Sequence, residues 1–335
     1  MTDLVKQIAP QILDAINKSD RILLHCHPSP DPDSYGSTLA MLQALQAMNK
    51  QVTAIAGDSA KPQAFSFLPN FDQVQIKNWF EVDLSEFDLF ISQDSGGLNQ
   101  ISKLNEIIFP ESLNVVIIDH HASNPGYGKI NLVEPSYIAV CQLLADLFEL
   151  WQVDITPNIA RCLLMGIYTD SGGLKYSLVT PDTLRTFTKL AELYPEFTDD
   201  IFLLENSQTP GRVIIIGLAL SNISLHLNGN LAMASVTHDQ LVKNNISKSE
   251  TEKSGIANHL ISVIGWNVGI SLIESDPGII SLGFRTRDSE KFDVSQLASK
   301  LGGGGHKAAA GASFNGNIAD AIAATESAAK ELWNL

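Results

Sequence analysis

Short apolar runs alternate with segments of helical periodicity over the first two thirds of the chain. Four runs predict buried strands, over 21–26, 51–56, 87–92 and 114–118. Five segments repeat apolar residues at helical spacing, over 3–17, 37–48, 138–151, 157–167 and 181–193. Strands that alternate with helices predict an α/β domain with a mainly parallel sheet. In such sheets ligands bind beyond the carboxyl ends of the strands.

The rest of the chain predicts a smaller α+β domain. Asn-Gly and Pro-Gly turn signals predict two hairpins, one within 222–237 and one joining 268–275 to 279–284. Two further helices are predicted over 294–301 and 318–333. Turn signals around a short apolar stretch predict a linker that contains a helix. The predicted organisation is therefore a domain over 1–193, a linker over 194–211 and a domain over 212–335.

Composition and charge restrict the class of partner. The 335 residues carry 22 Lys+Arg and 37 Asp+Glu, a formal net charge of −15. Such an acidic chain is poorly suited to long duplexes, because their binding depends on phosphate neutralisation. Cys26, Cys141 and Cys162 lack metal-type spacing, which predicts buried free thiols in a reducing compartment. Without a signal pattern or an apolar run of about 18 residues, we expect a cytoplasmic protein that does not contact membranes.

Metal-ligand residue types follow the first predicted strand. His27, Asp31 and Asp33 lie in a polar turn, and Gly36-Ser37 comes after them. The spacing lets His27 and Asp31 converge on one cation while Asp33 turns toward another. Imidazole with carboxylate oxygens suits Mn²⁺ or Mg²⁺ better than structural zinc. The alternative is an Asp/Pro turn beside a strand.

Three more clusters lie further along the chain, two of them directly after apolar runs and the third at the end of a helical segment. They contain Asp94, the triplet Asp119-His120-His121, and Asp170 in a Ser-Gly-Gly context. A carboxylate beside a histidine pair can orient an imidazole. Asp94 taken alone is better interpreted as a cap of the next helix. Taken together, the clusters suffice for two divalent ions bridged by a carboxylate, which can activate a water for in-line phosphoryl displacement.

A glycine run in the second domain has the chemistry of an anion site. Gly302–Gly305 precede His306 and Lys307. Consecutive glycines let backbone N–H groups approach an anion, and the two side chains add donors. Upstream, Arg285 offers a guanidinium fork suited to phosphate. The alternatives are a flexible turn and a solvated strand end, and the spacing is not that of a Walker A loop.

In this order the motifs resemble the DHH phosphoesterase superfamily, and within it the branch of nanoRNases and 3′-phosphoadenosine 5′-phosphate (pAp) phosphatases. The resemblance covers nearly the whole chain. The matching positions are His27-x-x-x-Asp31-x-Asp33 with Gly36-Ser37, Asp94, Asp119-His120-His121, Gly166 to Gly173 with Asp170, and the run at 302–306 with Ala310-Gly311. The fold implied is a parallel-sheet DHH domain and a smaller α+β DHH-associated domain, with the active site in the cleft between them.

The resemblance also implies roles for these residues. Asp94, Asp119 and His121 would be catalytic: Asp94 bridges the two cations, Asp119 orients the triplet, and His121 contacts the scissile phosphate. Residues of the second domain would hold the far phosphate or base of the substrate. The implied ligands of the first Mn²⁺ are His27, Asp31 and Asp94, and those of the second are Asp33, Asp94, His120 and Asp170. The implied substrate contacts are Arg285, Gly303, Gly304, Gly305 and His306.

Four positions depart from the family pattern. Ile138 and Val140 replace small hydroxyl residues, Gln142 replaces an acid, and Thr286 replaces a serine. The metal ligands are intact, so substrate preference is what these changes leave open.

The function implied is metal-dependent hydrolysis of short RNA or DNA oligonucleotides, dinucleotides such as pApA, and pAp. Mn²⁺ is the expected ion, with Mg²⁺ or Co²⁺ as alternatives, and family analogy suggests a homodimer. A cyclic-dinucleotide phosphodiesterase and an exopolyphosphatase-like enzyme are the alternative activities. A catalytically silent nucleotide-binding protein is the alternative from another class.

Overall fold

The computed structural model describes residues 1–57, 61–251 and 255–335. The chain forms two compact units, Met1–Ser207 and Gln208–Leu335. The division between them lies inside the segment 194–211 that was predicted as a linker, and a helix forms within that segment, in the first unit. All three cysteines are free and buried. In the described ranges every helix is too short or too polar to cross a bilayer.

The first unit is built on a six-stranded sheet of order β3-β2-β1-β4-β5-β6. Its strands are β1 Arg21–His25, β2 Gln51–Ile55, β3 Val74–Gln75, β4 Leu89–Gln93, β5 Asn114–Asp119 and β6 Ile130–Val133. Every neighbouring pair runs parallel, as predicted. The strand order reverses between β1 and β4, and such switch points are where open α/β sheets bind ligands.

Helices flank this sheet. They are α1 Asp3–Asn17, α2 Pro32–Ala47, α3 Val140–Leu150, α4 Pro157–Asp170, α5 Pro181–Leu193 and α6 Phe197–Glu205. The predicted start of α2 at residue 37 was wrong, because the helix begins at Pro32. The Asp31 side chain accepts hydrogen bonds from the backbone N–H groups of Asp33 and Ser34, and Pro32 occupies the first turn. This early start places Asp33 in the first turn of a buried helix.

Alternation along the strands divides the apolar side chains between two cores. Leu24 of β1 and Ile118 of β5 pack with the buried faces of α1 to α4. Their strand neighbours Leu23 and Ile117 pack on the other side, around Trp79. Because both faces of the sheet are covered, its strands are nearly continuous apolar runs.

The second unit contains a mixed six-stranded sheet of order β11-β12-β10-β9-β8-β7. Its strands are β7 Ile223–His226, β8 Leu231–Val236, β9 Val268–Asp276, β10 Ile279–Thr286, β11 Gly304–His306 and β12 Ala309–Asn315. Its helices are α7 Pro210–Ser221, α8 His238–Lys243, α9 Lys248–Thr251, α10 Ile256–Ile261, α11 Val294–Lys300 and α12 Ile318–Trp333. Both predicted hairpins form, and among the described strands of this unit β8 and β9 are the one parallel pair.

Candidate metal centre

The polar clusters of the first unit meet at one edge of the parallel sheet. β1, β4 and β5 are adjacent, so their carboxyl ends lie side by side. His27 follows β1, Asp94 follows β4 directly, and His120 follows β5 directly. The structure therefore brings these three side chains together although His27 and His120 lie 93 positions apart in the chain (120 − 27).

The first group that could hold a cation consists of His27, Asp31 and Asp94. His27 Nε2 lies 3.7 Å from Asp31 Oδ2 and 3.4 Å from Asp94 Oδ2. The other ring nitrogen, Nδ1, is 3.0 Å from the Pro28 carbonyl, which can only accept. Nδ1 thus carries a proton, which leaves Nε2 as the nitrogen available to a cation held beside the carboxylates. The two oxygens of Asp31 also have different partners. Oδ1 caps α2, and Oδ2 faces His27 Nε2.

The second group consists of Asp33, His120 and Asp170. His120 Nε2 lies 3.4 Å from Asp170 Oδ2 and 3.4 Å from Asp94 Oδ1. Its Nδ1 is 3.2 Å from the Tyr137 carbonyl, which sets the same tautomer as in His27. Asp94 therefore lies between the two groups and faces an imidazole of each. It also forms a third possible group with His120 and His121, so it belongs to one group around His27 and to another around His120.

Asp33 is held by the start of α3. Its Oδ2 accepts a 2.7 Å hydrogen bond from the Val140 N–H, and its Oδ1 accepts a 2.8 Å bond from the Cys141 N–H. Unpaired N–H groups at a helix start favour a carboxylate. Because these donors are backbone groups, they do not depend on which side chains follow.

The departures from the family pattern near α3 are accommodated in the core. Ile138 and Val140 are 4% and 0% exposed. Gln142 is also buried, and its Oε1 accepts a hydrogen bond from Thr183 of α5 at 3.1 Å. These side chains thus pack inside the domain, while the backbone of the same segment holds Asp33.

Asp94 is buried and has an oxygen without a hydrogen bond within the described part of the chain, as expected of a carboxylate that binds a cation. It is 2% exposed, and its Oδ1 accepts no hydrogen bond from any described residue. A buried carboxylate oxygen without a hydrogen bond is costly, and a divalent cation would satisfy it. Burial alone would raise the pKa of Asp94, but interactions with His120 and His27 outweigh burial and hold the pKa below its ordinary value.

Burial and repulsion between neighbouring carboxylates raise the pKa values of Asp33 and Asp170. Burial and then the charge of Asp94 raise the pKa of Asp33 to about 7. Burial and then the charge of Asp33 raise the pKa of Asp170 well above its ordinary value. Burial opposes the charged form of His120, yet its carboxylate neighbours raise its pKa well above the ordinary value. In the metal-free chain these groups therefore bind protons, and bound cations would replace the positive charge of those protons.

Stabilisation by divalent metal is expected to grow as the pH rises. The pKa of Asp33 is about 7 in the folded chain against 3.8 for the free residue. Asp33 therefore stabilises the metal-free folded chain fully below pH 3.8, and this stabilisation is lost as the pH rises through about 7. A cation favours the ionised form, so its effect increases over the same window. Melting temperatures with and without excess Mn²⁺ at about pH 5.5 and 8 measure this. An equal Mn²⁺ shift at both pH values would contradict it.

Asp119 makes hydrogen bonds to both histidines of the triplet. It is fully buried, and its Oδ1 lies 2.8 Å from His121 Nδ1 and accepts a 2.8 Å bond from the His120 N–H. Its Oδ2 accepts a 2.6 Å bond from the side chain of Asn124. Asn124 was not among the residues predicted from the sequence. The Asn-Pro-Gly sequence that contains it was readable only as a turn signal.

Part of the glycine run of the second unit is a strand and not the flexible turn considered from the sequence. Gly304–His306 form strand β11, paired with β12. A Cβ on Gly303 would lie 2.1 Å from the Gly311 carbonyl oxygen, and one on Gly305 would lie 2.6 Å from that of Ala309. These glycines therefore allow β11 to lie close against β12.

Strand pairing in the second unit aligns two predicted substrate contacts. Ala309 of β12 pairs with His306 on one side and with Arg285 of β10 on the other. Paired residues of antiparallel strands share a face, so Arg285 and His306 flank the small side chain of Ala309. Substrate contact by these residues, and the predicted position of substrate between the domains, stay predictions.

Comparison with known proteins agrees with this architecture. Residues 21–167 match the DHH family, N-terminal domain, and residues 230–331 match the DHHA1 domain. The chain belongs to the DHH family of phosphoesterases, enzymes that use divalent metals.

The curated relatives match over most of their length. A bifunctional oligoribonuclease and PAP phosphatase NrnA from Thermus thermophilus is 28% identical over 313 residues, 92% of this chain and 88% of the relative. The protein of the same name from Bacillus subtilis is 27% identical, over 94% of this chain and 96% of the relative. A solved exopolyphosphatase-related protein from Bacteroides fragilis has a TM-score of 0.90 at 23% identity, covering 100% of this chain and 99% of that one. This last likeness concerns the fold alone.

Proposed function

We propose that this protein is a Mn²⁺-dependent hydrolase of short oligonucleotides and of pAp. The observation that carries the proposal is the pair of His/Asp groups that share Asp94 at the sheet edge. The names of the relatives from T. thermophilus and B. subtilis support the choice of substrate. The acidity of the chain favours short substrates over long duplexes.

The residues would divide between two cations. His27, Asp31 and Asp94 would hold one, and Asp33, Asp94, His120 and Asp170 would hold the other. Two divalent cations supply a water of lowered pKa and neutralise the charge that develops on a displaced phosphoryl group. The histidines would contribute Nε2, because the Pro28 and Tyr137 carbonyls occupy their Nδ1 protons.

His121 would contact the scissile phosphate. Burial opposes its charged form, but the hydrogen bond to Asp119 and the negative charges of Asp94 and Asp119 together outweigh burial and raise the pKa of His121. A protonated imidazole is a charge-assisted donor to a phosphate oxygen. Asp119 would act by fixing the ring orientation, since both of its oxygens accept hydrogen bonds.

Arg285 and His306 would hold the far phosphate or base of the substrate. Their alignment on either side of Ala309 supports this assignment. A guanidinium suits phosphate, and an imidazole suits either phosphate or base. The same proposal includes a cytoplasmic location and a homodimer that contacts neither long duplex nor membrane.

Hydrolysis of a substrate panel in Mn²⁺ tests the proposed function. The panel contains pAp, pApA, a five-nucleotide RNA, a thirty-nucleotide single strand, cyclic di-AMP and polyphosphate. We expect kcat/KM for pApA and the five-mer to exceed that for the thirty-mer by about tenfold or more, about 1.4 kcal/mol. A chelator should abolish all turnover.

Other outcomes point to the alternatives. A preference for cyclic di-AMP or for polyphosphate would replace the proposed substrate class by a cyclic-dinucleotide phosphodiesterase or an exopolyphosphatase. Nucleotide binding without turnover of any substrate would indicate the catalytically silent protein.

A further inference from the structure

Asn124 connects two parts of the metal centre through one side-chain amide. It lies in the turn between β5 and β6, three positions after His121. Its Nδ2 donates a 2.6 Å hydrogen bond to Asp119 Oδ2 and a 3.0 Å bond to the Ser95 carbonyl. Its Oδ1 accepts a 2.8 Å bond from the Gly126 N–H. The amide thus uses both donors and its acceptor on three different groups.

Each partner of Asn124 leads to the centre. Ser95 directly follows Asp94, which belongs to both cation groups formed around His27 and His120. Asp119 holds the ring of His121. The Asn124 side chain therefore links the turn after β4 to the turn after β5.

The Asp119 contact depends on Asn124 more than the Ser95 contact does. The Tyr127 hydroxyl also donates to the Ser95 carbonyl, at 2.9 Å. Among the described residues, Asn124 donates the hydrogen bond to Asp119 Oδ2, whereas Oδ1 is engaged by the two histidines of the triplet. Loss of the amide should thus release one side of Asp119 while Tyr127 retains the turn at Ser95.

We propose that Asn124 is a positioning residue that fixes the Asp119–His121 pair relative to Asp94. It thereby sets the geometry with which the centre receives divalent cations and the scissile phosphate. The inference rests on the proposed function, and it assigns Asn124 a role through Asp119 rather than through contact with substrate. Only an amide meets the requirement at this position, because it offers two N–H donors and an acceptor on one short side chain.

Two variants and a matched control test the role of Asn124. Asn124→Asp keeps the shape but replaces both donors by an oxygen that faces Asp119, and Asn124→Ala removes the side chain. Asn131→Ala is the control. Asn131 makes a similar pair of turn-stabilising bonds, with its Oδ1 accepting from the Gly128 N–H and its Nδ2 donating to the Gly128 carbonyl, both at 2.8 Å.

The measurements on the full chain are kcat and KM for pApA, Mn²⁺ binding by calorimetry, and melting temperature. We expect both Asn124 variants to lose about 10- to 100-fold in kcat and about tenfold in Mn²⁺ affinity, as removal of groups that orient metal ligands does. KM should stay within about threefold, because Asn124 is not placed in contact with substrate. Asn131→Ala should lower the melting temperature by a similar amount and keep both kcat and Mn²⁺ affinity.

A purely structural role would make the losses of kcat and Mn²⁺ affinity equal in the Asn124 and Asn131 variants, and this would overturn the proposal. Should Asn124→Asp fail to fold, Asn124→Ala against the same control decides the question. If the wild-type protein does not hydrolyse pApA, the proposed function fails while the Mn²⁺ titration still tests Asn124. Unchanged Mn²⁺ affinity in both Asn124 variants would then count against the inference alone.

Discussion

Replacing Asp94 with Asn is expected to lower turnover by about a thousandfold or more and to leave the fold intact. Asp94 lies in two of the groups that could hold a cation and faces both His27 and His120. The change removes the negative charge common to both groups, and a thousandfold loss corresponds to about 4 kcal/mol of transition-state stabilisation. The binding of Mn²⁺ should weaken with it.

Asn is the appropriate replacement because of the backbone. The φ of Asp94 is 50°, in the left-handed region. Asn adopts this region more readily than most residues, whereas Ala would add backbone strain to the loss of the carboxylate. The variant therefore tests the charge at constant shape and conformation.

Asp293→Asn is the matched control for this prediction. Asp293 caps α11 by accepting hydrogen bonds from the N–H groups of Ser295 and Gln296, and Asn caps helices equally well. The rates are measured with pApA at saturating Mn²⁺, and calorimetry measures Mn²⁺ binding. If Asp94→Asn keeps more than about a tenth of the wild-type rate, the shared carboxylate is not what drives the reaction.

Replacing Gly166 with Ala is expected to destabilise the first unit by about 2 to 3 kcal/mol and to reduce activity at least tenfold. Gly166 lies in α4, where a Cβ would be 2.3 Å from Cys141 Sγ and 2.7 Å from Asp33 Oδ1. Both neighbours are buried, so neither can move aside without displacing other groups. Movement of Asp33 would disturb its bonds to the start of α3 and the second cation group.

Gly217→Ala provides the opposite expectation for the same substitution. Gly217 is in α7, and no described atom lies within 4 Å of a Cβ placed there. Helix propensity then favours Ala by up to about 1 kcal/mol. Urea denaturation measures both free energies of unfolding. Effects of the same sign at the two positions would show that local packing at Gly166 is not the cause.

A double variant separates the two contacts of Gly166. Cys141→Ala in the Gly166→Ala background removes the Sγ atom and leaves the contact with Asp33. We expect it to recover part of the stability but little of the activity. Full recovery of activity would mean that the Asp33 contact is unimportant.

The sequence alone was enough to locate the parallel sheet and to identify the candidate ligands that the structure brings together. Apolar runs marked β1, β2, β4 and β5, and polar clusters followed three of them at their carboxyl ends. Because neighbouring parallel strands end at one edge, the convergence of those clusters followed from local patterns. Motif order then indicated the family, which the domain matches confirm.

Local pattern could not give the short strands or the role of the glycine run. β3 and β6 have two and four residues, too few to show a period. Gly304–His306 have no apolar signal, and they form a strand because β12 offers a close partner. The start of α2 was missed because Asp31 was interpreted as a possible ligand, whereas it is also a helix cap.

Tertiary structure alone decided how the ligands are held. Asp33 is fixed by backbone donors 107 and 108 positions away, at the start of α3. Asn124 reaches 29 positions back to the turn after β4. Such contacts depend on chain segments brought together by packing, and no residue spacing encodes them. Local sequence patterns therefore identify the candidate ligands of this centre, whereas long-range packing fixes their orientation.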